Sequence, residues 1–193
     1  MWREHGLTTH RVFLETEAEP KLTWLYSLPV EDAQRPTAGL DAVVQDPAYG
    51  RIVDDLGPHV FKNTLVRPVE VAYLTHAEPA ELADWGEEPG TPVGMPGPRI
   101  AIMRRYSIVG GWETFLDLWR RIVPLRARHG FSCLFATIDR EKDMFTWAFD
   151  FDGLWEEFPQ AQREYYRDPE RIGLRNVFDH MADYSIHPAR MLV

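Results

Sequence analysis

The chain has 193 residues, 45% of them apolar and 26% charged, and acidic side chains outnumber basic ones to give a net charge of −9. That balance excludes nucleic acid and anionic membrane as main partners, since both are held by basic patches. A single cysteine, Cys133, excludes an intrachain disulfide and fits a reducing, cytoplasmic setting, and no apolar run approaches the roughly 18 residues of a membrane span.

In chain order, apolar runs at Thr8–Glu15 and Lys21–Leu28 around a charged turn predict a hairpin. Pro36–Gln45 and Pro47–Leu56 read as helical, and Thr64–Thr75 as a strand. Ala77–Pro98 carries Pro79, Pro89, Pro92, Pro96 and Pro98 with glycines between them, so it continues neither a helix nor a central strand and reads as a linker. Ile100–Val109 is β-branched at both ends and closed by Gly110-Gly111, which predicts a strand. Trp112–Arg128 has helical period, with Phe115, Trp119, Ile122 and Arg126 on one side. Pro124 inside it predicts a kink, and Gly130 a helix stop. Phe131–Ile138 and Met144–Phe151 predict a second hairpin, with Phe145, Trp147, Phe149 and Phe151 on one face. A helix follows at Phe158–Arg167, then a short one opened by Asp168-Pro169 as N-cap and N1, then a strand at Tyr184–Leu192.

Two parts of the chain echo each other. His5-Gly6, Trp24, Asp46-Pro47 and Arg51-Ile52 match His129-Gly130, Trp147, Asp168-Pro169 and Arg171-Ile172 at a spacing of about 120 residues, the signature of a duplicated unit. The second copy reads strand, helix, strand, strand, helix, strand, a split βαβ unit. The first copy has only the last four elements. The fold class is therefore α+β, with tandem ferredoxin-like repeats: an incomplete one over 1–76, a linker over 77–98 and a complete one over 99–193. The strand missing from the first copy would be central. An upstream start, a shortened chain or a strand from another chain would each account for it, the first two being the preferred expectation.

The second copy resembles the NIPSNAP family of the dimeric α/β-barrel superfamily. The resemblance rests on Met103-Arg104-Arg105-Tyr106, Phe115 with Trp119, Pro124-Leu125-Arg126, His129-Gly130-Phe131, Phe145-Thr146-Trp147, the run from Tyr165 to Arg171, and Arg190-Met191-Leu192. Gly110-Gly111 stands where the family carries Pro-Gly. The resemblance implies two facing sheets around a lumen, homo-oligomerisation, and no settled activity. It leaves two functions open. One is a small-molecule-binding or assembly module. The other is a cofactor-independent enzyme, of monooxygenase or isomerase type, acting on a small aromatic or polyketide-like substrate in the lumen.

The residues to test are Arg104, Tyr106 and Trp147 for ligand binding, with His129 and Tyr106 as catalytic candidates. Arg104 on an apolar central strand must be paired or meet a cavity. Its function would be to anchor an anionic or carbonyl ligand; a salt bridge to Asp150 or Glu164, or an exposed strand end, is the structural alternative. Which sheet face lines the lumen is open, because both faces are largely apolar. His129 could serve as a base, but a histidine at a helix C-terminus is also stabilised by the last carbonyls. Trp119, Trp147 and the tyrosine pair Tyr165-Tyr166 read mainly as core, and Cys133 as an inert buried thiol. The seven histidines are scattered, so no metal site is expected, nor any cofactor. The expected ligand is small, and apolar or aromatic.

Overall fold

The computed structural model describes residues 8–15, 21–27, 45–56, 69–75 and 100–191 except 152 and 155. Its elements are β1 (Thr8–Glu15), β2 (Leu22–Ser27), α1 (Pro47–Leu56), β3 (Glu70–Leu74), β4 (Ile100–Ile108), α2 (Trp112–Arg128), β5 (Phe131–Asp139), β6 (Met144–Phe151), α3 (Phe158–Arg167), α4 (Pro169–Gly173), a 3-10 turn (Arg175–His180) and β7 (Met181–Met191). The predicted linker over 77–98 and nearly all of the predicted helix over 36–45 lie outside the described residues. Among the described residues no helix is long and apolar enough to cross a membrane.

The chain divides into two compact units, one of residues 1–11 with 24–68 and one of 12–23 with 69–193. In the first, Trp24 donates its indole N–H to Thr9 at 3.1 Å and His10 meets Ser27 at 2.9 Å, tying the outer halves of the β1–β2 hairpin. The Asp46 carboxylate accepts from the Ala48 amide at 2.8 Å and caps α1.

The second unit holds the larger core. The strand order across the sheet is β2-β1-β7-β4-β6-β5-β3, with every pairing between β1 and β3 antiparallel. Its central four strands, with α2 and α3, realise the split βαβ connectivity expected for residues 99–193. β1 adds to β7 through Phe13, Leu14 and Glu15, and β3 adds to the other edge along β5. Strands that the sequence reading assigns to the first repeat thus extend the sheet of the second.

Local chemistry sets the boundaries. Gly110 and Gly111 take φ of 70° and 107° between β4 and α2, a conformation that side chains rarely adopt. Gly130, at φ 82°, ends α2. Pro124 lies on the exposed side of α2 and the helix runs on through it. The β5–β6 turn places Asp143 at φ 49°, where its carbonyl accepts from Ile108 and its carboxylate from the Trp112 indole at 3.2 Å. β7 begins three residues before the predicted Tyr184, because the 3-10 turn delivers Met181 directly opposite Ile108.

Register assigns the two faces. Ile102, Arg104 and Tyr106 stand opposite Phe149, Trp147 and Phe145, and these side chains pack with Phe115, Trp119 and Ile122 of α2. The helices therefore cover this face. On the other face, Phe13 of β1 and Phe135 of β5 bring their rings to 5.4 Å. Four strand spacings separate them in the sheet, about 19 Å if it were flat. The sheet of this unit therefore curls, with Phe13, Met103 and Phe135 buried on its concave side.

Candidate functional site

Arg104 enters the core because it alternates with Ile102 and Tyr106 on the helix-facing side of β4. Arg126 enters because it falls on the apolar stripe of α2, beside Ile122 and Leu125. Arg171 enters from α4, whose start is fixed by Asp168. The Asp168 carboxylate accepts from the amides of Glu170 at 2.8 Å and Arg171 at 3.4 Å, with Pro169 at the first helical position. All three guanidinium side chains are at most 4% exposed.

They converge on one small cavity of about 20 Å³, room for a single water-sized group. Its wall carries Arg104, Tyr106, Arg126, Trp147, Tyr165, Tyr166 and Arg171, closed on the outer side by Val177, Phe178 and Met181. Among the described residues no carboxylate lies in that wall. Arg126 is instead surrounded by ring faces, with Tyr165 at 4.3 Å, Phe149 at 4.6 Å, and Phe131 and Trp147 both at 5.4 Å. Arg104 lies over Phe149 at 5.5 Å, and Arg171 lies over Phe178 at 5.0 Å and Tyr166 at 5.2 Å.

Hydrogen bonding is far from complete. Arg104 donates to the Tyr106 hydroxyl at 3.3 Å and also faces the Tyr166 hydroxyl, which favours its charged form, but its Nε and Nη2 find no acceptor at hydrogen-bond distance. Nε and Nη1 of Arg126, Nε of Arg171, the Tyr165 hydroxyl and the Trp147 indole N–H are also without partners. A desolvated cation–π contact returns about 2 kcal/mol and burying a cation costs several kcal/mol, so the rings offset much of the burial of Arg126 but leave its N–H donors unmatched. Burial, and after it the Arg104 charge, pushes Arg126 down to about 10. Burial raises the Tyr165 phenol. At Tyr166 burial acts in the same direction, but Arg104 and Arg126 outweigh it and draw the phenol below its ordinary value.

The structure thus brings Arg104, Tyr106 and Trp147 together and leaves His129 aside. The three face the helices, not the concave side of the sheet, so a ligand they held would lie between sheet and helices. The salt bridges considered for Arg104 are not formed. Asp150 pairs in register with Ala101 on the opposite face, and Glu164 accepts instead from Gln160. His129 caps α2 and its Nε2 meets the Asp168 carboxylate at 2.9 Å. That bond and the amides of α4 hold Asp168 below the usual carboxylate value. Cys133 is buried against the Phe135 carbonyl, and burial pushes its thiol up to about 12, the state of an unreactive thiol.

Sequence reasoning missed Arg126 and Arg171 as members of the site. The signal for Arg126 was visible, an arginine on the apolar stripe of a helix. Arg171 had none, since its placement follows from how α4 docks.

The concave face carries a second polar group. Glu15, 2% exposed, pairs with Arg105 through both guanidinium nitrogens, and Arg105 also donates to Thr23 at 3.2 Å. This cluster is charge-balanced and reads as structural. Among the described residues no group of three His, Cys, Asp or Glu side chains could hold a metal.

No known family model matches the chain, and no curated protein matches it. Its fold is similar to that of a crystal structure from Fusobacterium nucleatum described as a "Putative monooxygenase", with a TM-score of 0.53 and 9% identity, covering 96% of this chain and 77% of that one. At that identity the likeness is one of fold.

Proposed function

We propose that this chain is a small-molecule-binding protein of NIPSNAP type whose pocket lies between the sheet and the helices of residues 100–191. The observation that carries the reading is the convergence of three buried arginines on one cavity, with several N–H donors unmatched by any protein acceptor. A core evolved for packing alone would fill these positions with apolar side chains, which are often more stabilising than buried charge. Tandem repeats are supported by the way β1 and β3 extend opposite edges of the four-stranded sheet. A cytoplasmic homo-oligomer accords with the resemblance and completes this reading.

A second reading is a cofactor-independent monooxygenase. It draws support from the fold likeness to the protein described as a "Putative monooxygenase", and from Tyr166, a phenol drawn down by two neighbouring arginines at the cavity wall. On this reading Tyr106 and Tyr166 are the proton-handling groups, because both line the cavity and His129 does not.

Native mass spectrometry of the full chain as purified tests the binding reading. A discrete added mass per chain, lost in Arg104→Met, carries it. A clean chain mass, together with no thermal shift against a panel of small aromatic acids and alcohols, overturns it. Oxygen uptake with an oxidisable phenol, abolished by Tyr166→Phe, would move the assignment to the enzyme.

A further inference from the structure

We propose that the pocket binds one carboxylate group, clamped by Arg104, Arg126 and Arg171. The inference rests on the binding reading above and names the chemistry of its ligand.

The charge count is one-sided. Three guanidinium groups, each nine-tenths buried or more, line one cavity whose wall, among the described residues, holds no acid. Their unmatched donors are directional N–H groups, and the Tyr165 hydroxyl and Trp147 indole add two neutral ones. A carboxylate offers two oxygens and about four acceptor positions, is planar, and is matched by guanidinium forks. A neutral carbonyl would satisfy some donors but none of the charge. The cavity of about 20 Å³ holds one water-sized group, so a carboxylate would seat one oxygen there and keep the rest of its body toward the outer wall. The strength of burial around Arg126 points the same way, since an anion would restore the charged guanidinium.

The outer wall suggests how a larger body would be accommodated. Phe178, half-exposed on the 3-10 turn, stacks on Arg171 and is the most exposed ring of the wall. An aromatic acid would enter here, its ring against Phe178 and its carboxylate inward. A free small carboxylate would use only the inner donors.

Isothermal titration calorimetry of the full chain with sodium acetate and sodium benzoate tests this, in a zwitterionic buffer low in other anions. The expected result is saturable binding of one carboxylate per chain, weakened at least tenfold in Arg126→Met. The melting temperature of Arg126→Met, measured without carboxylate, should equal or exceed that of the parent. If Arg126→Met does not fold, Arg171→Met provides the same comparison. Benzoate binding much tighter than acetate identifies an aromatic acid, and equal affinities identify a free small carboxylate. Absence of saturable binding by both, or binding unchanged in the methionine variants, overturns the proposal. Should carboxylates fail while a neutral ligand is retained in the native mass spectrum, the carboxylate inference falls and the binding reading stands. Should neither be seen, both fall.

Discussion

Tyr165 shows how a single polar atom can reveal a site. It is fully buried, its ring lies against Arg126, and its hydroxyl has no partner. An unsatisfied buried hydroxyl costs about 1–3 kcal/mol, so Tyr165→Phe should stabilise the unliganded protein by about 1 kcal/mol in urea unfolding. If the hydroxyl serves the ligand, the same variant should bind it less tightly. Asp168 carries a different signature. Its carboxyl lies below the ordinary value of 3.8, chiefly through the His129 bond and then through the amides of α4. A depressed carboxylate stabilises the fold above its unfolded value, and that contribution is lost as pH falls through the lower folded one. Stability should therefore drop as pH falls below about 4, and Asp168→Asn should flatten that acid limb in pH-dependent thermal melts.

At the scale of the element, α2 carries both a breaker and a stop. Pro124 is exposed and contributes no buried contact, but it removes the backbone bond to the Arg120 carbonyl. Pro124→Ala should raise stability by up to about 3 kcal/mol, the penalty of an interior proline. Gly130 has nothing within 4 Å of a notional Cβ, yet its φ is 82°. Gly130→Ala should therefore cost about 1–2 kcal/mol through backbone conformation alone, a value readable from urea midpoints at unchanged m. The α2 boundaries were legible because both ends are marked by glycines that the backbone requires. The β5–β6 turn was legible in the same way, from a charged run between two apolar strands.

For the molecule as a whole, the decisive contact is Phe13 against Phe135. It joins β1 to β5 across the concave face, and Phe13 is fully buried. Phe13→Ala should cost about 3–5 kcal/mol, and hydrogen exchange should quicken in β1 and at its β7 pairings before β4 and β6 respond. Uniform acceleration across the sheet would show instead that β1 is part of the central cooperative unit. The helix-facing side should remain intact in this variant, so carboxylate binding at the arginine cluster tests whether the two faces are independent.

The amino-acid sequence by itself determined the elements of residues 100–191 and their split βαβ order, because periodicity, glycine stops and the Asp-Pro cap are local signals that act within a few residues. It also marked Arg104 as an anomaly, since a charge on an apolar strand is visible without coordinates. Only the tertiary structure decided which face Arg104 uses, because both faces of β4 and β6 are apolar and register alone sets them against the helices. It also decided that Arg126 and Arg171 join Arg104 while His129 turns to Asp168. The three arginines come from three separate elements, β4, α2 and α4, and their convergence depends on how helices dock on the curled sheet, a long-range property that no local pattern encodes.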